Sequence, residues 1–484
     1  MDYEAVIGLE VHAQIHTRSK MFCSCPVAED TGDLPPNTYV CPVCLALPGA
    51  LPVVNRRAVE VGILTGLALH CTINPVNVFS RKSYFYPDLP KGYQISQYDL
   101  PLAVNGYLEI EVNGERRRID ITRAHLEEDT GKLYHQDDGS ALVDFNRAGV
   151  PLLEIVSEPD MRTVDEVRAY ATTLHDALVY LGVNSGDMEK GVMRFEANVS
   201  IRPKGSDVLK TRVEIKNLNS FRALTRSVEY EIARQIEVVE AGGAVVQQTM
   251  GWDDARGETY PQRSKEHAHD YRYFPEPDIP PLEIDPAWIA SLQAQVPELP
   301  QAKKRRLVAD YRIRPYDAEL LVNDQAVAAY FETAAQAGRG LDVEPQEVAN
   351  WITSELFRLL KESGVPIHAC HVTPESLIAL LFLQHKGALS ATAAKTVLGE
   401  VFVAGESPEA VVKRLGLAQI SDTEALTAMV AEVIEANPVP VQQYLDGKTG
   451  LLSWLVGQVM RASKGKANPQ EVRKLLEQTL EQKR

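Results

Sequence analysis

Four cysteines stand in two close pairs: Cys23 and Cys25 as C-x-C, then, after fifteen residues, Cys41 and Cys44 as C-P-V-C. Four soft thiolates at that spacing match the donor set of a tetrahedral structural zinc centre, which keeps no open coordination position and so staples rather than reacts. Four buried free thiols are the plain alternative. The loop between the pairs holds Pro26, Gly32, Pro35, Pro36 and Asn37, residues poor at forming other structure, so a metal would account for its order. Cys71 and Cys370 are isolated and read as core residues.

A second chemistry lies in alternating strands. In Val6–Ile15, Ile7, Leu9, Val11, Ala13 and Ile15 share one face, and Glu10, His12 and Gln14 share the other. Met193–Ile201 repeats the pattern, with Arg194, Glu196 and Asn198 opposite Phe195, Ala197 and Val199. Thr211–Lys216 sets Glu214 and Lys216 against Val213 and Ile215. Period two sends one face to the core and one to solvent or a cleft. Any single strand of this kind is most simply a solvated face. Several together, with acids alternating with cations, can hold Mg²⁺ while the cations grip phosphate, which is the chemistry of phosphoryl transfer from ATP. Other polar segments are Arg81–Gln94, His125–Lys132, Asp144–Arg147, Glu154–Asp160 and Asp270–Asp278. The usual phosphate loops are missing. Gly447-Lys448-Thr449 ends like a P-loop, but Gln442 replaces its first glycine, so it reads as a turn between helices. A nucleotide site must therefore be built from a sheet face.

The elements that position these residues change character along the chain. Upstream of a proline-rich stretch, Pro275–Pro300, the patterns are mostly strands; downstream they are mostly helices. That stretch carries seven of the 29 prolines and reads as a surface linker. Two helices interrupt the strands. Thr163 with Glu166 forms a capping box ahead of Val167, Ala171, Leu174, Leu178 and Leu181, and a second helix runs from Ser220 to Gly242-Gly243. Ser407-Pro408 opens a further helix and marks a second boundary. The expected class is α+β, with an antiparallel sheet domain over 1–292, an all-α helical domain over 293–406 and a small α-helical tail domain over 407–484. The 484 residues are 45% apolar and 24% charged with a net charge of −16, an ordinary globular balance that argues against indiscriminate nucleic-acid binding. The longest stretch without Asp, Glu, Lys or Arg, Leu34–Asn55, is broken by five prolines, so no membrane span is expected, and a cytoplasmic location is the default.

The segments Val6-Ile7-Gly8-Leu9-Glu10-Val11-His12, Tyr84-Phe85-Tyr86-Pro87-Asp88, His125-Leu126-Glu127-Glu128-Asp129, Glu154-Ile155-Val156-Ser157-Glu158-Pro159-Asp160, Lys216-Asn217-Leu218-Asn219-Ser220, the run Asp270–Asp278 and the tail segment Ala462–Pro469 resemble the B subunits of the aspartyl/glutamyl-tRNA amidotransferases over essentially the whole chain. The resemblance implies a ligase component that uses ATP and Mg²⁺ to phosphorylate the side-chain carboxylate of Glu on tRNA(Gln) or Asp on tRNA(Asn). Ammonia from the A subunit, an amidase-type glutaminase, then displaces the phosphate, with a small C subunit joining the two. It implies a catalytic cradle similar to glutamine synthetase and the guanidino kinases. On this reading Glu10, His12, Glu127 and Glu214 are the candidate magnesium ligands, with Glu128 and Glu196 as further acids. Arg194 and Lys216 are the first candidates for phosphate, followed by Arg81, Lys91 and Arg272.

From Gly447 to Arg484 eight cations face three acids, a net of +5 on an acidic chain. Such a local basic face suits backbone contacts to folded RNA, with Lys448, Lys464 and Lys466 the candidates for tRNA. The rival reading is a non-catalytic zinc-containing RNA-binding scaffold, which explains the cysteines and the tail but not the acid-rich strand faces.

Overall fold

The computed structural model describes residues 2–27, 34–264, 271–418, 423–463 and 467–483. They fall into two compact units, Met1–Leu299 and Pro300–Arg484.

The first unit contains β1 (Tyr3–Gln14), β2 (Thr72–Ile73), β3 (Val76–Asn77), β4 (Phe79–Ser83), β5 (Tyr93–Gln97), β6 (Ala103–Val112), β7 (Glu115–Glu128), β8 (Lys132–His135), β9 (Ala141–Asp144), β10 (Pro151–Ser157), β11 (Met193–Pro203), β12 (Val213–Leu218), β13 (Gln248–Asp253), β14 (Glu258–Ser264), β15 (Phe274–Pro275) and β16 (Leu282–Glu283). Nine of them make one sheet in the order β14-β13-β12-β11-β1-β10-β7-β6-β2. Its pairs are antiparallel except β12 with β13. That exception departs from the all-antiparallel expectation, because the chain between β12 and β13 runs through a helix and a helical crossover returns the next strand parallel.

The apolar strand residues behave as their period requires. Ile7, Leu9, Val11 and Ala13 are fully buried in one core with Phe195, Ala197, Val199, Leu153, Ile155, Ala124 and Leu126. Helices α1 (Arg56–Ala68), α2 (Val164–Tyr180) and α3 (Phe221–Glu240) contribute to that same core. The α2 start is the expected capping box: Thr163 Oγ1 accepts from the Glu166 N–H at 3.2 Å while the Glu166 carboxylate accepts from the Thr163 N–H at 3.1 Å. Ser220 caps α3 by accepting from the Ala223 N–H at 3.0 Å. One flank of the sheet's other face carries a three-stranded sheet, β15-β4-β5, whose Ser96 and Ile95 bond to the carboxylates of Glu127 and Glu128.

The proline-rich stretch is not a bare linker. Phe274–Pro275 pairs with β4, Leu282–Glu283 pairs with β3, and Pro286–Gln293 is a helix, α4, capped by Asp285. Proline is compatible with edge strands and with the first turn of a helix, so its density here marks short elements rather than their absence.

The second unit is helical. One core runs from Leu307 to Val412 and another from Leu426 to Leu480. Ser407 accepts from the Ala410 N–H at 3.3 Å with Pro408 in the first turn. Gly447-Lys448-Thr449 is a turn between the helices Pro438–Leu445 and Leu451–Ala462, as its sequence suggests. No helix among the described residues is long and apolar enough to cross a membrane.

Gly66 lets α1 close on the sheet: a Cβ there would stand 2.8 Å from both the Ala103 Cβ and the Ile73 Cδ1. Gly66→Val should cost about 1–3 kcal/mol through overpacking, read as a lowered urea midpoint; an unchanged midpoint would show that α1 can lift off without loss.

Candidate functional site

The polar face of the nine-stranded sheet carries the candidate chemistry, and strand register assembles it. His12 stands opposite Glu154 on β10 and Arg194 on β11, and Glu154 stands opposite His125 on β7. One ladder row therefore reads His125, Glu154, His12, Arg194 across four neighbouring strands. The next row pairs Glu10 with Glu196, and beyond it Asn198 pairs with Glu214. Residues as distant in the chain as Glu10 and Glu214 thus share one face.

His12 lies at the centre. Its Nδ1 is 3.3 Å from Glu127 Oε1 and 3.9 Å from Glu154 Oε2, while Nε2 is 3.7 Å from Glu196 Oε1. His125 Nε2 is 3.5 Å from the same Glu154 oxygen. Asn198 Nδ2 donates to Glu10 Oε1 at 2.8 Å. Lys216 bonds to Glu196 and lies 3.2 Å from Glu214, whose other oxygen accepts from Thr249 Oγ1 at 3.0 Å. At the far end Asp129 is held by Arg194 at 3.2 Å, by Gln14 at 2.8 Å and by Arg147 at 3.7 Å.

This crowding shifts the ionisation of the groups in opposite directions. Burial, then the charges of Glu154, Glu196 and Glu214, raise the Glu10 carboxyl above its usual range. Burial and the neighbouring Glu127 do the same to Glu154. Burial by itself would push the His12 imidazole down, but the Glu127 hydrogen bond and the surrounding carboxylates carry it up to about 9. Burial opposes ionisation of Glu127 as well, and there the His12 contact and the Lys82 charge win, bringing it down to about 2. His125, buried and facing cations as well as acids, falls to about 3. Asp129, despite its burial, is held well below the carboxylate range by Arg194 and Arg147. A face that pushes some carboxyls up and draws others down is short of positive charge.

Two ligand groups share His12: Glu10, His12 and Glu196 on one side, and His12, Glu127 and Glu154 on the other, each with its ligand atoms within 4.8 Å of one another. Asn198 Oδ1, beside Glu10, is buried without a hydrogen-bond partner and adds a spare oxygen ligand. Paired carboxylates with a spare amide oxygen suit a hard divalent cation. Of the four residues expected to ligate it, Glu10, His12 and Glu127 belong to these groups. Glu214 does not; it sits on the same face, occupied with Lys216 and Thr249. Glu154 and Glu196 complete the two groups.

Glu128, Lys91 and Arg81 are engaged with other partners. Glu128 turns away from this face, toward Lys91 at 2.6 Å and the Ile95 N–H at 3.0 Å. Arg81 grips buried Glu276 with two bonds, at 2.7 and 2.8 Å, and lies over the Tyr93 ring. Arg272 is exposed and adopts a left-handed backbone, φ +46°. Lys448 is exposed in the second unit, and Lys464 and Lys466 lie outside the described residues. Sequence reasoning did not single out Glu154 or Lys82. Lys82 lies over the Tyr271 ring and faces the charges of Glu127 and Glu154. The signal for Glu154 was one acid in the otherwise apolar run Pro151–Val156.

The cysteines converge. All four sulfurs lie within 4.8 Å of one another, with Cys44 Sγ 3.9 Å from Cys41 Sγ and 4.0 Å from Cys25 Sγ. Tetrahedral zinc with bonds of about 2.3 Å sets its sulfurs about 3.8 Å apart, so the donors fit a metal ion. The Cys44 thiol is brought down to about 4 by the Cys23 thiol, the Cys41 N–H and the charge of Lys20, against its burial. Cys71 and Cys370 stand apart from this group as free thiols.

The GatB/GatE catalytic domain family model matches residues 5–290 and the GatB domain model matches residues 329–480. The chain is 53% identical over 482 residues to the aspartyl/glutamyl-tRNA(Asn/Gln) amidotransferase B subunit of Roseiflexus sp. (strain RS-1), covering 99% of each. It is 51% identical over 483 residues to the protein of that name from Carboxydothermus hydrogenoformans, again over 99% of each, and 53% identical to that of Moorella thermoacetica, over 99% of this chain and 100% of the relative.

The two raised carboxyls yield a pH test. They hold protons longer in the fold than in the unfolded chain, so their ionisation costs the metal-free fold stability as pH rises above the usual carboxylate range. A bound cation offsets that cost. Mn²⁺ should therefore raise the melting temperature more at about pH 7.5 than at about pH 5. The gain should shrink at both values in a Glu10→Gln, Glu154→Gln chain. An equal Mn²⁺ response at both values would refute the assignment.

Proposed function

The chain belongs to the family of aspartyl/glutamyl-tRNA(Asn/Gln) amidotransferase B subunits, and on that premise we propose that its sheet face is where the side-chain carboxylate of a misacylated tRNA is phosphorylated by ATP and then amidated. The substrates are Glu on tRNA(Gln) and Asp on tRNA(Asn), and the products are Gln-tRNA(Gln) and Asn-tRNA(Asn). The observation that carries this reading is the ladder row His125, Glu154, His12, Arg194 flanked by Glu10 and Glu196.

A carboxylate does not react with ammonia, because its leaving group would be oxide. Transfer of the γ-phosphoryl group to one carboxylate oxygen makes a mixed anhydride; ammonia then attacks the acyl carbon, phosphate departs with the C–O bond pair, and one proton is lost. Lys216 and Arg194 reach over the face and place positive charge where the phosphoryl group develops negative charge. Each arrives with its own acid, Glu196 and Asp129, so the pair is pre-oriented before substrate enters. Mg²⁺ would be held by Glu10, His12, Glu196, Glu127 and Glu154 and would screen the repulsion between ATP and the attacking carboxylate. Arg81 and Lys91, each already holding a buried carboxylate, are assigned to the wall rather than to the nucleotide.

The layout supports kinship of the cradle with glutamine synthetase and the guanidino kinases, where a sheet's polar face holds nucleotide and metal. Ammonia comes from an amidase-type A subunit, and a small C subunit joins the two. Zinc at Cys23, Cys25, Cys41 and Cys44 is structural. The segments 293–406 and 407–484 form a helical domain and a tail domain that hold the tRNA, Lys448, Lys464 and Lys466 among the contacts, and the assembly works in the cytoplasm. A non-catalytic scaffold has no use for carboxylates crowded on one face at a cost in ionisation.

In the assembled enzyme, Lys216→Met should lower ADP formation that depends on misacylated tRNA by about 100- to 1,000-fold, with the melting temperature retained; near-normal ADP formation would refute the phosphate role. Elemental analysis should find about one zinc per chain. Ending the chain at Glu406 should weaken tRNA binding while leaving ADP formation at saturating acceptor largely intact, and unchanged tRNA affinity would remove the tail from the interface.

A further inference from the structure

Lys20 is fully buried, 0% exposed, and its surroundings are unusual for a buried cation. Its Nζ donates to the Tyr39 carbonyl at 2.7 Å and to the Phe145 carbonyl at 3.2 Å, and lies 3.8 Å from Cys44 Sγ. These three partners match the three donors of an ammonium group. None is a carboxylate. A cavity of about 160 Å³ bounded by Lys20, Cys23 and Cys44 also touches Glu128 and Asp278, but those acids are already paired, with Lys91 at 2.6 Å and with Arg81 at 3.3 Å. Among the described residues no acid lies within ion-pair distance of Lys20.

An isolated buried ammonium is costly unless an anion faces it. Four thiolates around one divalent ion leave two negative charges at the cysteine centre. We propose that Lys20 is the built-in counter-charge of that centre, a positioning residue that fixes Cys44 and clips the metal knuckle to the catalytic sheet. This rests on the zinc reading above. The clip is traceable through the backbone. The Lys20 N–H donates to the Cys25 carbonyl at 2.9 Å, the Met21 N–H to Gly149 at 2.7 Å, and the Gly149 N–H to Asp129 at 2.9 Å. Asp129 is the acid that orients Arg194. Phe145, which accepts from the Lys20 side chain, sits in the segment that Asn37 and Asn146 tie to the loop between the cysteine pairs. The ammonium therefore bonds both sides of that seam.

The test is zinc retention in the full chain, read by competition with a chromogenic chelator. Lys20→Met removes charge and hydrogen bonds, whereas Lys20→Gln removes the charge and keeps donors for the carbonyls. Both should hold zinc about 10- to 100-fold more weakly than the parent. Retention by Lys20→Gln equal to the parent's would mean that the hydrogen bonds and not the charge matter, and would overturn the proposal. If neither variant folds, Lys20→Arg decides: a folded chain that keeps its zinc supports the charge pairing, and a folded chain that loses it refutes the pairing. The parent is measured first. No zinc there would sink the metal reading and this proposal together, whereas zinc in the parent with unchanged retention in the variants sinks this proposal alone.

Discussion

Too many carboxylates on one pleated face is the constraint from which the rest of the molecule follows. Glu10, Glu127, Glu154, Glu196 and Glu214 share the polar side of five neighbouring strands, with His12 between the two pairs of acids. Two like charges about 4 Å apart repel by about 4 kcal/mol at an effective dielectric near 20. The face answers with Lys216, Arg194, Lys82 and a raised His12, and still holds Glu10 and Glu154 above their usual range. Residual repulsion of this kind is what a divalent cation held between the acids would relieve.

Such a face needs a rigid back. The opposite side of the same strands is continuous apolar surface, fully buried beneath three helices, and Gly62 and Gly66 let α1 approach without a side chain between. Register is specified because a one-residue slip would turn Ile7, Leu9 and Val11 outward and the acids into the core. The core thus holds the acids in place against their own repulsion. The cysteine knuckle extends the same logic to the rim: it is joined through Gly149 to Asp129, and through Asp129 to Arg194, so order in a proline-rich loop is passed to a guanidinium on the sheet.

Much of this was legible residue by residue. The period-two strands, the Thr163 capping box, the Ser220 and Ser407 caps and the four-cysteine spacing are local codes, each readable within a few positions. So was the face taken by Glu10, His12, Glu196, Arg194 and Lys216, because alternation says which side of a strand a residue faces; Glu127 came only with the family resemblance. Glu154 was read only as the start of a polar segment, because one acid in an apolar run carries no local pattern, and Glu214 shares the face but stands outside both ligand groups. Arg81 and Lys91 looked like phosphate grips in an isolated basic, aromatic segment; their buried partners, Glu276 and Glu128, are far away in the chain. The proline-rich stretch looked like a linker because two-residue strands leave almost no period to detect.

The sequence by itself determined which faces are apolar, which residues are donors or acids, and which family the chain resembles, since those depend on side-chain type and short spacing. Only the tertiary structure decided which strands are neighbours. That choice placed β1 between β10 and β11, brought Glu154 and Glu196 to either side of His12, and left Lys20 in the interior with a cysteine sulfur and two carbonyls as its partners. Strand order and burial arise from long-range packing of the whole apolar face, and no window along the chain contains both halves of those contacts.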